Sequence, residues 1–200
     1  MKTLTASDRS ALIRLAASLP VGSEERRAIL AGLAQARTAA GDVNVPGKHI
    51  LDKAKVLENA RVFDNAVVSG RASVSGRAEI FGRASVSGRA SVSDSASVYG
   101  DARVFDQAVV DRRALVYGRA QVYDDAFVYD DADVSDNAKV FGDAQVYGRA
   151  VVYGEAKVFG DAQVYGKAHI GGTAVILDGE WDGSEGPIMK GRWMAPGVPV

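Results

Sequence analysis

Residues 144–168 read AQVYGRAVVYGEAKVFGDAQVYGKA, in which valine returns at every sixth position (Val146, Val152, Val158, Val164) with an alanine two residues ahead of each. The same register runs both ways along the chain. From Ile50 to Ile176 an aliphatic residue fills 22 consecutive sites, all Val or Ile, and alanine follows four residues after each of the first 21. On an extended chain, residues two apart project to one side, so Ala and Val share a face and the residues between and after them take the other. A helix is excluded, because a period of six keeps no helical face apolar.

The second position after each Val is Gly or Asp in nearly every unit, as in Gly70, Gly88, Asp94, Gly118 and Asp124. These residues tolerate a left-handed backbone, and the chain is expected to turn there. Glu58 and Arg112 break the rule and are expected at strained corners. Short strands with a corner every six residues stack as a solenoid, lined by pairs such as Val98 with Ala102, Val116 with Ala120 and Val140 with Ala144. A narrow interior admits one medium and one very small side chain per unit, which accounts for the invariance of the pair.

This run over residues 50–177 resembles the hexapeptide-repeat family. The resemblance implies a mainly β fold: a left-handed parallel β-helix in which three hexads make one three-sided coil of 18 residues. That hand opposes the usual right-handed parallel crossover. Twenty-two hexads would give about seven coils and a length of about 34 Å at the inter-strand spacing. The resemblance also implies side-by-side homotrimers.

Composition narrows the function classes. The chain has 200 residues, a net charge of −1 and no cysteine. A general appetite for nucleic acid or anionic membrane is not expected, and disulfides, thiolate metal sites and cysteine nucleophiles are excluded. No apolar segment reads as an export signal or a membrane span, so a cytoplasmic or virion location is expected. All five prolines lie outside the repeat, which suggests four regions: a helical hairpin over 1–41, a linker over 42–49, the β-helix over 50–177, and a cap or tail over 178–200.

In the hairpin, Leu12, Leu15 and Leu19 form the apolar side of a first helix, and Ile29, Leu30 and Leu33 that of a second. Helices this short need a partner surface. The segment SDRSALIRLAASLPVGSEERRAILAGL, from Ser7 to Leu33, resembles leader segments of tailed-phage virion proteins and implies a spike, fibre or decoration component. At the other end, Trp181, Ile188 and Trp193 are expected either to cap the stack or to dock another protein.

Twelve of the 13 Phe and Tyr residues follow a repeat Val or Ile directly, Phe127 being the exception. At 18-residue spacing they sort into columns. The first holds Phe63, Phe81, Tyr99, Tyr117 and Tyr153, the second Phe105, Tyr123, Phe141 and Phe159, and the third Tyr129, Tyr147 and Tyr165. Either the rings stack on one another or a column, the first foremost, forms an interface. Arginines crowd the early coils and aspartates the later ones, a segregation able to steer head-to-tail packing. Asp125, Asp143 and Asp161 share one corner and offer oxygen ligands of the kind Ca²⁺ takes, although solvated turn carboxylates are the commoner reading.

Catalysis has few candidates. The family resemblance implies acyltransferases that pair a histidine base with acyl-coenzyme A. Only His49 and His169 are present, and His169, outward near the last coil, is the alternative candidate. A three-histidine zinc site fails on count. The reading of the sequence is therefore a non-catalytic structural or interaction protein that needs no cofactor.

Overall fold

The structure is a computed structural model. It describes residues 50–194, the backbone of Ala195, Val198 and Pro199, and, before the repeat, Leu12, Leu15, Leu19, Ser23, Glu24, Glu25, Ala28 and Ile29. The chain divides into two compact units, Met1–Asn44 and Val45–Val200. Apart from these eight residues, the expected hairpin over 1–41 and the linker over 42–49 lie outside the described residues.

The second unit is a parallel β-solenoid with three sheets. Each hexad supplies one two-residue strand, and successive hexads go to successive sheets. Face one starts at Lys55–Val56 and has eight strands; face two starts at Arg61–Val62 and has seven; face three starts at Val67–Val68 and has nine. Within a face, strands pair in parallel at an offset of 18 residues, as in Val98 against Val116 and Val116 against Val134. Three hexads therefore make one turn.

The lining is dry. From Ala66 through Val164 every repeat Ala and Val or Ile is fully buried. Burying one such valine contributes about 2 kcal/mol, and the sum over the stack is opposed by the entropy of ordering the chain. Backbone groups pair between rungs, for example Tyr99 N–H donating to Val116 C=O at 3.0 Å. At most corners the alanine N–H closes the turn, as Ala120 N–H does on Tyr117 C=O at 3.2 Å.

The corners need positive φ, and every non-glycine there has it, including Asp136 at 58°, Glu58 at 59° and Arg112 at 57°. A left-handed backbone costs an ordinary L-residue about 1–2 kcal/mol. Aspartate offsets part of that with its side chain. The carboxylate of Asp136 accepts the N–H of Gly154 one rung on, at 3.2 Å, and Asp64 does the same for Gly82. Glycine in the lower position keeps the approach to the rung above open. A Cβ on Gly118 would stand 2.9 Å from the Asp136 backbone N. Asp136→Ala is accordingly expected to cost about 1–2 kcal/mol in urea unfolding, while Asp136→Gly stays near neutral.

The stack has about eight turns rather than seven, because the residues after 177 add one. Trp181 pairs with Val164, Ile188 bridges to Ile170, and Trp193 lies opposite Ile176, so these three take the interior positions of a last, irregular turn. Trp181 is fully buried and meets Trp193 edge-on at 6.0 Å. Each indole N–H donates to a carbonyl three residues back, Asp178 or Lys190, at 2.9 Å. Larger side chains are tolerated where no further rung presses on them. A short antiparallel strand, Val198–Pro199, then pairs with Arg192–Ala195 at the edge of face three.

Candidate interaction surface

With the interior filled, partners can meet only the outer rows. On all three faces the aromatic columns stack as expected. Phe63, Phe81, Tyr99 and Tyr117 stand 4.7–5.1 Å apart with ring planes within 5° of parallel. The second and third columns repeat this geometry at 4.6–5.1 Å. On face one the third column adds a hydrogen bond per rung: Tyr147 O–H donates to Gln163 Oε1 at 3.3 Å, and Tyr165 O–H to Glu180 Oε2 at 3.3 Å. Burial pushes the Tyr129 and Tyr147 hydroxyls above their ordinary pKa.

The columns differ in exposure. Phe81 and Tyr99 are 1% exposed and Tyr117 5%, whereas the rings of the second and third columns remain half-buried at the same stacking distance. Stacking therefore does not by itself close a face. Face two also buries Glu79, Ser97, Asp133 and Ser135. Tyr117 O–H donates to Asp133 Oδ2 at 3.2 Å, Arg61 pairs with Glu79 at 3.2 Å, and these residues engage further contacts as well. The middle of the first column, foremost among the expected interface residues, is thus interior in character. Phe63 is half-buried. Ser135 interrupts the stack, and Tyr153 lies apart, half-buried, over Gly171, where any Cβ would meet its ring.

The remaining candidates fall as follows. Leu12 and Ile29 are helical and half-buried, and Leu15 is helical and exposed; Leu33 is outside the described residues. Trp181 and Trp193 belong to the last turn. His169 is half-buried on face two beside Val151, and its carbonyl accepts the Ile188 N–H at 2.9 Å. Asp125, Asp143 and Asp161 are exposed on one corner, and among the described residues no three acidic or histidine side chains gather closely enough to hold a metal ion. No helix among the described residues is long and apolar enough to cross a membrane.

Ion pairs between rungs were not anticipated from the sequence, though the 18-residue offset is their signal. Arg83 grips Asp101 with two hydrogen bonds of 2.7 and 2.9 Å, and holds that carboxyl below the usual carboxylate range. Arg113 pairs with Asp131 at 2.8 Å, and Arg112 both pairs with Asp130 and lies over the Tyr129 ring. Asp111, by contrast, is pushed up by burial.

These rows define a parallel β-solenoid whose outer surface repeats with its rungs. No family model, curated protein or solved structure matches the chain.

Proposed function

We propose that the chain is a non-catalytic structural protein: a rod of the left-handed hexapeptide type that works in assembly, as a spike, fibre or decoration component of a virion. The observation that carries this reading is the dry lining, with Ala and Val or Ile fully buried from Ala66 through Val164. Such packing commits the shaft to stiffness and leaves recognition to its outer rows. The resemblance of the hexads to the hexapeptide-repeat family supports the hand, and the leader-like segment 7–33 supports the virion role.

Copies associate side by side, three around one axis. The half-exposed rings of faces one and three, with exposed Phe127 beside them, supply the contact, since apolar stripes of this kind mark association. Sedimentation of the full chain is expected to give three 21.0 kDa chains or a multiple of three; any other mass overturns the trimer. The role itself is tested by acetyl-coenzyme A turnover on the full chain and on His169→Ala. Equal background in both is expected, and robust transfer that depends on His169 overturns the structural reading.

A further inference from the structure

The corner that joins face three to face one is built unlike the other two. Its outermost position holds, rung by rung, Lys53, Arg71, Arg89, Gln107, Asp125, Asp143 and Asp161, all exposed. The other corners carry charge that pairs within the chain, Arg83 with Asp101 and Arg113 with Asp131. Here the signs are segregated. Among the described residues no ion pair engages any of the six charged side chains, and the polar contact of the row is Gln107 Nε2 donating to Asp125 Oδ1 at 3.0 Å.

The order is self-complementary about Gln107. One rung to either side stand Arg89 and Asp125, two rungs away Arg71 and Asp143, three rungs away Lys53 and Asp161. Stacked rings on neighbouring rungs stay within 2–8° of parallel, so successive rungs hardly rotate and the row runs straight. Six rung spacings make it about 29 Å long.

We infer that this corner is where two copies of the chain pair antiparallel, related by a two-fold axis through Gln107. An isologous contact sets each residue against its image. Lys53 then meets Asp161, Arg71 meets Asp143, and Arg89 meets Asp125, each twice, with the two Gln107 amides facing one another at the centre. A parallel arrangement sets like charge against like along the whole row. The other corners are less suited: on the next one the two-fold would set Arg77 against Arg149, both basic, and on the third it would set Arg119 against its own image. The adjoining turn position carries three carboxylates: Asp106 at the centre and Asp52 at the ends oppose the pairing, while Asp124 falls opposite the rung of Arg89. Exposed ion pairs are individually weak and screened by salt, so the row fixes direction and partner more than strength. This corner lies between faces one and three, whose rings supply the trimer contact proposed above, so the pairing is an alternative to that trimer: chains that pair here assemble in twos.

Sedimentation of the full chain tests it. At low salt the mass is an even multiple of the 21.0 kDa chain, and it halves in about 1 M NaCl, where screening acts over about 3 Å. Lys53→Glu/Arg71→Glu/Arg89→Glu and Asp125→Lys/Asp143→Lys/Asp161→Lys each lose the pairing alone and regain it when mixed in equal amounts. Direction is read by disulfide capture, which a chain without cysteine allows. Gln107→Cys links to itself. Lys53→Cys links to Asp161→Cys and not to itself. An odd or salt-independent mass, either triple variant keeping the wild-type mass, or Lys53→Cys linking to itself overturns the inference. A lone trimer would overturn the pairing while leaving the assembly role standing.

Discussion

Ala120→Leu is expected to cost about 3 kcal/mol or more. Ala120 is fully buried, its N–H is committed to the turn on Tyr117, and Ala102 and Ala138 occupy the same position one rung below and above. A leucine there finds no void, and neither neighbouring rung can retreat without parting its ladder hydrogen bonds. Val122→Ala in the same unit removes atoms instead and is expected to cost about 2 kcal/mol. The exchange Ala120→Val/Val122→Ala conserves volume, yet it should remain destabilised, because the alanine position lies in the turn and the valine position in the strand. Urea unfolding measures all three. A neutral exchange would mean that the interior accepts volume without regard to position. Because each rung touches only its neighbours, the Leu variant is also expected to broaden the transition as the stack parts at that rung.

Tyr99→Asp is expected to be as damaging by a different route. The ring is 1% exposed and lies between Phe81 at 4.7 Å and Tyr117 at 4.9 Å. Removing a buried aromatic costs about 3–5 kcal/mol, and a carboxylate left there adds its own desolvation. Tyr123→Asp makes a useful contrast. Its ring stacks at 4.9 Å on both sides but stays half-buried, so the charge keeps access to water and the loss should be about 1–2 kcal/mol. Urea midpoints of the two variants decide the matter. Equal losses would show that Tyr99 sits on a free surface; a large difference places the middle of the first column among the structural residues.

That difference marks where sequence reading stopped. The column of Phe63, Phe81, Tyr99 and Tyr117 was legible as a column from its spacing alone. Its exposure was not, because the same residue types at the same offset fill the half-buried second and third columns. Burial depends on what lies against a face, and no periodicity encodes that. The C-terminal turn was hidden for a related reason. Trp181, Ile188 and Trp193 leave the hexad in residue type and in spacing, with Trp181 only 17 residues from Val164. They nonetheless complete the stack, since a terminal rung is packed from one side and accepts larger groups.

The candidate pairing corner shows the same division. Segregated charge is plain in the sequence, with arginines early and aspartates late. That Lys53 and Asp161 belong to one straight row, while Arg83 and Asp101 neutralise each other on another, follows only from the 18-residue offset.

Taken alone, the six-residue beat of Ala and Val dictated an inside and an outside, because side chains alternate across extended backbone, and it dictated the corners, because only Gly and a few polar residues accept positive φ cheaply. It left open how many hexads close a turn. The three-sheet stack decided that, and with it every contact between residues 18 apart: the stacked rings, the Asp136 carboxylate on Gly154 N–H, the inter-rung ion pairs and the charged corner. Those contacts are non-local, so their free energy depends on the cross-section of the coil, which one strand and its turn do not determine.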